Sequence, residues 1–168
     1  MSRTGIIYGI NGPVIYLKGN TGFKMSEMVY VGEEHLVGEV IALTKDTTTV
    51  QVFEETSGLK PGETVTATGD AISVTLGPGI LDNIFDGIQR PLDDIMKISG
   101  NNLKRGVEVA SLKRDIKWEF VPTKKAGDAV EAGDIIGTVQ ETAVVQQKIM
   151  VPYGIQGTIK EIKAGSFT

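Results

Sequence analysis

Few residues of this chain have the types and spacing that chemistry needs. Glu54 and Glu55 are adjacent carboxylates, and paired carboxylates do general acid–base work. They follow an alternating run at 47–53, and neighbouring residues on a strand point to opposite faces. The two cannot converge on one substrate atom, so a solvated strand end entering a turn is the expected setting. His35 stands between Glu34 and Leu36, where a nearby carboxylate could make it a proton switch. Its neighbours read as an exposed loop. No Gly-x-x-x-x-Gly-Lys-[Ser/Thr] occurs, so the backbone cradle and the lysine that hold nucleotide phosphates are missing. Chemistry that positions and neutralises a γ-phosphate cannot run on these residues. Cysteine is absent and there is one histidine, which excludes disulfides and cysteine-ligated zinc and leaves the usual zinc sites hard to build. The expectation is no catalytic residue, no cofactor site and no metal site.

Charge is more informative. The net charge of −4 is unevenly spread. Residues 1–103 carry 13 acids and 7 bases, residues 104–125 carry 7 bases and 3 acids, and residues 126–168 carry 5 acids and 3 bases. A basic segment in an acidic chain suits an acidic partner, although a solvated strand surface would look the same. Lys113, Arg114, Lys117 and Trp118 are the candidate partner-binding residues. Nucleic acid is not expected, because the chain as a whole would be repelled by phosphate. No apolar run reaches the length of a membrane span and no signal peptide opens the chain, so a cytoplasmic protein without direct membrane insertion is expected.

The elements that would position these residues are mainly β. At 168 residues the chain could be one domain or two small ones. A half-length piece would bury only about 60% of its unfolded surface, so each half would be marginal alone. In residues 1–70, runs at 3–10 and 14–17 flank Asn11-Gly12-Pro13, a hairpin signal that Pro13 widens beyond the two-residue kind. Leu36, Val40 and Ala42 should share one face of the next run, and Val37, Ile41 and Leu43 the other. Lys45-Asp46 joins it to a strand with Val50 and Val52 on one side, Thr49 and Gln51 on the other. Further strands at 28–31 and 64–68 bring the number to about six. Short connections then imply a small closed barrel.

Residues 71–103 read as a connecting segment. Gly77-Pro78-Gly79 is a sharp turn. Ile80, Leu81, Ile84, Phe85 and Ile88 recur at helical steps, and Gly87 and Pro91 stop that short helix. Residues 93–98 extend helix further, up to Ser99-Gly100-Asn101-Asn102. Residues 104–168 read as a second β-rich piece, with strands at 106–112 and 117–121 and Trp118 and Phe120 on one face. Two Gly-Asp turns follow, at Gly127-Asp128 and Gly133-Asp134, then a strand at 144–152 and a turn and return at 154–159.

Several stretches, Val37-Gly38-Glu39-Val40-Ile41 and three others, carry a resemblance to the head subunits of rotary ATPases. The three others are Gly5-Ile6-Ile7 with Gly12-Pro13-Val14, the run Glu54-Glu55-Thr56-Ser57-Gly58-Leu59-Lys60-Pro61-Gly62, and Leu76-Gly77-Pro78-Gly79-Ile80-Leu81 with Asp86-Gly87-Ile88-Gln89-Arg90-Pro91-Leu92-Asp93. Gln89-Arg90-Pro91 resembles the catalytic A subunits of the V-type and archaeal-type enzymes. Gly133-Asp134-Ile135-Ile136-Gly137, Gln146-Gln147-Lys148-Ile149-Met150-Val151-Pro152 and Gly165-Ser166-Phe167-Thr168 resemble the bulging insertion of those subunits.

The resemblance implies an N-terminal fragment: a barrel at 1–70, an entry segment with a short helix at 71–103, and a barrel-sandwich-like bulge at 104–168. It implies that the barrel helps assemble a hexameric head with B subunits and other A subunits. The bulge would face the peripheral-stalk E/G (E/H) heterodimer. ATP and Mg2+ would belong to the parent subunit, and the fragment alone would be a monomer. The parent would couple ATP hydrolysis or synthesis to proton or sodium transport, peripheral to the membrane. In the parent the apolar residues of the entry segment would pack on the nucleotide domain. In the fragment they should fold back onto a β piece or be mobile. Two alternatives stand beside this. One is a free-standing interaction module. The other is a biotinyl- or lipoyl-like carrier domain, which the Gly-Asp turns also resemble. Carriers modify a lysine at a hairpin tip, whereas Lys148 sits in a strand and Glu141-Thr142-Ala143 at the expected tip has no lysine.

Overall fold

The computed structural model describes residues 3–19, 22–100 and 104–168. They fall into two compact units, Met1–Val74 with Asp93–Val109, and Thr75–Leu92 with Ala110–Thr168. Residues 71–103, expected as a separate connecting segment, are thus shared between the two.

The first unit is a closed barrel of six strands: β1 (Thr4–Asn11), β2 (Val14–Lys18), β3 (Glu27–Val31), β4 (Leu36–Leu43), β5 (Thr47–Val52) and β6 (Thr64–Ala71), in the order β1-β2-β5-β4-β3-β6. Alternation builds its core. Ile7, Ile15, Leu17, Val29, Val31, Leu36, Val40, Val50, Val52 and Val65 point inward and are buried, with Phe23 beside them. Each such side chain contributes roughly 1.5–3 kcal/mol by leaving water. Closure pairs every strand on both sides, so the barrel presents no open edge.

Two local expectations give way to backbone detail. Asn11 pairs with Val14, so Gly12-Pro13 is a two-residue turn after all. Gly12 takes φ +58 at the first central position, which suits a primed hairpin turn, and the fixed φ of proline is compatible with the second. In β4 the register slips between Val40 and Ala42. Ile41, next to the buried Val40, faces solvent, and the bulge brings Leu43, not Ala42, against the core.

One charge is buried at the barrel. Glu27 is 1% exposed and pairs with Arg3. Its carboxylate also accepts the N–H groups of Lys24 (2.8 Å) and Gly69 (2.8 Å), and Arg3 donates to the Gly22 carbonyl (2.6 Å). A buried carboxylate is tolerated when paired and fully hydrogen-bonded.

Helix α1 (Leu92–Ser99) carries Asp93 and Asp94 in its first turn and Lys97 in its last, which matches the helix dipole. Gly100, at φ +68, closes it by donating to the Met96 carbonyl (2.8 Å). Asn101 and Asn102, the remainder of the expected stop, lie outside the described residues. The helix expected from Ile80 to Ile88 does not form. Those residues run through successive turns, with Gly79 at φ +100, Asp82 at φ +62 and Gln89 at φ +62. Left-handed residues at such short intervals interrupt the i to i−4 ladder before it can start.

The second unit holds β7 (Trp118–Pro122), β8 (Ala129–Val130), β9 (Ile135–Gln140), β10 (Gln146–Met150), β11 (Gly157–Thr158) and β12 (Gly165–Phe167). They make an open sheet, β10-β9-β7-β12, and a small ladder of β11 with β8. The strand expected at 106–112 is absent. Gly106 takes φ +66 and gives its N–H to Glu54 (2.9 Å), which turns the chain within the first unit and leaves no run for a ladder. At Gly137 a side chain would overlap the Phe120 ring and the Val121 carbonyl, so glycine is required where β9 passes β7.

One turn design recurs in both units. Lys24 to Glu27, Lys60 to Glu63, Lys125 to Asp128 and Glu131 to Asp134 each close with the fourth residue's carboxylate accepting the first residue's N–H. The third residue is always left-handed: Ser26, Gly62, Gly127 and Gly133. A charged acceptor makes this a stronger clasp than a neutral side chain would. The Gly-Asp pairs visible in the sequence are two of these clasps.

Candidate partner-binding site

The basic segment is divided by the fold. Arg105 forms an ion pair with Glu34 (2.6 Å) within the first unit. Lys113, Arg114 and Lys117 lie in irregular, exposed backbone of the second unit, just before β7. Trp118 opens β7 and is half-buried, opposite Phe167 of β12. Lys113, Arg114 and Trp118 line one hollow of about 470 Å3, together with Thr75, Pro78, Ala110, Ser111, Leu112 and Thr168. The structure therefore brings three of the four candidate residues together. Lys117 is exposed but does not line the hollow.

Two glycines flank Pro78, one of the residues lining the hollow. A Cβ on Gly77 would stand 2.9 Å from a Leu112 methyl, and one on Gly79 3.4 Å from the Trp118 ring. The missing side chain at Gly77 makes room for Leu112, while Gly79 is suited to its left-handed φ of +100. Glu141, in the loop between β9 and β10, then fixes the turn. One of its oxygens accepts the N–H groups of Gly79 (2.7 Å) and Leu81 (3.0 Å). Gln89 exchanges hydrogen bonds with the Thr75 backbone, at 2.6 and 2.7 Å. Asn83 donates to the Gly79 carbonyl (2.8 Å).

Asp86 anchors the far end of the segment. Its carboxylate accepts from the backbone of Ile88 (3.0 Å) and Arg90 (2.8 Å) and from the Arg90 guanidinium (2.7 Å). Burial by itself would raise the pKa of Asp86. The hydrogen bonds from Arg90 and Ile88 and the Arg90 charge outweigh it, and the carboxyl is held below the usual aspartate range. The expected apolar helix is replaced by a loop that belongs to the second unit and is stitched by polar side chains. Glu141 is the residue sequence reasoning missed. Nothing local marks it, because its partners lie about sixty positions earlier.

The other chemical candidates have structural roles. Glu54 holds the Gly106 N–H, while Glu55 accepts from the Ser57 hydroxyl. The two carboxylates act separately. His35, at φ +54 in a turn, has its Nδ1 3.6 Å from Glu108, and both side chains are exposed. Lys148 lies within β10 opposite Thr138, not at a hairpin tip. Cations, an indole and hydroxyls around an open hollow can bind an acidic surface. They present no nucleophile with a base beside it.

A closed six-stranded barrel and an open-sheet unit define a two-part, mainly β architecture. Residues 7–69 match the family model of the ATP synthase alpha/beta family, beta-barrel domain. Residues 109–168 match that of the ATPsynthase alpha/beta subunit barrel-sandwich domain. The chain belongs to the ATP synthase alpha/beta family. Within it, the chain is 55% identical over 166 residues to the V-type ATP synthase alpha chain of Clostridioides difficile, which is 99% of this chain and 28% of the relative. It is 54% identical to that of Clostridium perfringens, over 98% of this chain and 28% of the relative. It is 52% identical to that of Acetivibrio thermocellus, with the same coverage. The chain thus spans 28% of the length of the curated relatives it matches. Among the described residues, no helix is long and apolar enough to cross a membrane.

Proposed function

We propose that this chain is the N-terminal, non-catalytic part of the catalytic A subunit of a V/A-type ATP synthase or ion-translocating ATPase. The observation that carries this is the occurrence of both family domains, in order, at 52–55% identity to V-type ATP synthase alpha chains. The barrel joins the hexameric head beside the B subunits. The second unit meets the peripheral stalk, a heterodimer of E and G type, through Lys113, Arg114, Lys117 and Trp118. ATP and Mg2+ are bound by the rest of the parent subunit, which works on the cytoplasmic side, peripheral to the membrane, and moves protons or sodium.

The closed barrel supports the assembly role, because its sheet is complete and it can pack side by side without strand exchange. The hollow beside Trp118 supports the stalk role, because aromatic and cationic groups commonly anchor interfaces. The test is co-purification of the chain with the B subunit and with the stalk heterodimer. Reversing charge at Lys113, Arg114 and Lys117 together should cut stalk binding by about tenfold or more and leave binding to the B subunit unchanged. Unchanged stalk binding would put the contact on another face. Loss of both would mean that the change acts through the fold.

A further inference from the structure

The edge of the open sheet suggests a second binding site, separate from the hollow beside Trp118. β10 is the terminal strand of the order β10-β9-β7-β12 and is hydrogen-bonded to a neighbouring strand only through β9. A groove of about 570 Å3 touches it, lined also by Leu76, Gly77, Ala132 and Gly133. Gln147, Lys148, Ile149, Met150, Val151 and Pro152 line that groove consecutively. As the terminal strand, β10 has one edge whose alternate N–H and C=O groups are not paired by any described strand.

We propose that this edge takes an extended segment of a partner protein as an added strand, one with a carboxylate opposite Lys148 and apolar side chains beside it. Charge selects the occupant. Lys148 is the one charged residue among those lining the groove, and it is exposed. A second copy of the chain pairing antiparallel about Lys148 would set two ammonium groups against each other, which is unfavourable directly across strands. Lys148, the slip in register between Ile149 and Met150, and Pro152 just after the strand all deter indiscriminate pairing. An acid-bearing strand turns the first of these obstacles into a contact. Exposed apolar groups line the same groove: Met150 is 56% exposed, Leu76 73% and Tyr153 99%. Strand addition uses main-chain hydrogen bonds for affinity and such flanking pockets for selectivity.

The test uses the whole 168-residue chain, isotope-labelled, titrated with the peptide acetyl-Val-Thr-Val-Glu-Val-Thr-Val-amide. Amide shifts should concentrate at 146–153 and 76–77. A peptide with lysine in place of the glutamate should bind about three- to tenfold more weakly. Lys148→Glu should reverse that preference, and Lys148→Ala should abolish it. Methylating alternate peptide nitrogens should remove binding, because the added ladder needs those donors. No binding at millimolar peptide, equal binding of both peptides, or shifts located elsewhere would overturn the proposal. So would concentration-dependent dimerisation through β10 in sedimentation, which would assign the edge to a second copy.

Discussion

The two units solve the same problem, burying a β-sheet, in opposite ways. The barrel closes on itself and surrounds a continuous aliphatic core. The second unit leaves its sheet open and, among its described hydrophobic residues, fully buries only Val139 and Val151. Both units clasp side chains to backbone, but in the second, where the core is small, Asp128, Asp134, Glu141, Asp86 and Gln89 all hold main-chain N–H groups. A net hydrogen bond is worth about 1 kcal/mol, less than the burial of one large aliphatic side chain. The difference teaches where each unit is specified. The barrel rests on pattern, and the second unit rests on individual polar contacts. It also leaves apolar and cationic surface available for partners on the second unit.

That contrast can be broken or sharpened by mutation. The largest effect is expected from Leu17→Ala. It should cost about 2–5 kcal/mol in urea unfolding, because the site is fully buried in a closed shell that cannot collapse. Val139→Ala should cost less, about 1.5 kcal/mol, read by the fluorescence of Trp118, the one tryptophan. Equal costs would mean that the second unit has a tighter core than its burial indicates.

Gly137→Ala should cost a comparable amount, roughly 1–3 kcal/mol, since Phe120 must leave its place over the strand. Pairing it with Phe120→Leu should recover part of the loss. An unchanged midpoint in the single variant would show that β7 and β9 slide apart freely.

The smallest effect concerns pH. The pKa of Asp86 is lowered in the folded chain, so its contribution is present above the ordinary aspartate value, about 3.9. It is lost as pH falls through the lower folded value. Hydrogen exchange at Ile88 and Arg90 should therefore accelerate, relative to the intrinsic rate, only below about pH 4. In Asp86→Asn that acid-dependent step should vanish. A step that persists would place the acid sensitivity on another carboxylate.

Most of the barrel was legible because its strands alternate with period two and are joined by short turns, and both signals are local. The clasped turns were half legible: Gly127-Asp128 and Gly133-Asp134 showed as turns, but the carboxylate's grip on the N–H three residues back did not. The segment from Ile80 to Ile88 misled for a physical reason. Its apolar residues recur at helical steps, yet periodicity alone does not say whether the backbone can support the ladder. Of the candidate site, the residue types near Lys113 and Trp118 could be read, but their convergence with Pro78 and Leu112 could not.

The amino-acid sequence by itself determined the β class, the closed barrel and the family. These follow from alternation, turn chemistry and motif, all of which act over a few residues. Only the tertiary structure decided the rest. Glu141 fastens a turn some sixty residues away and makes a loop of an apparent helix. The bulge at Ile41 swaps which side chain of β4 reaches the core. Strand order leaves β10 as an open edge. Each depends on which distant groups meet, and a linear pattern carries no record of that.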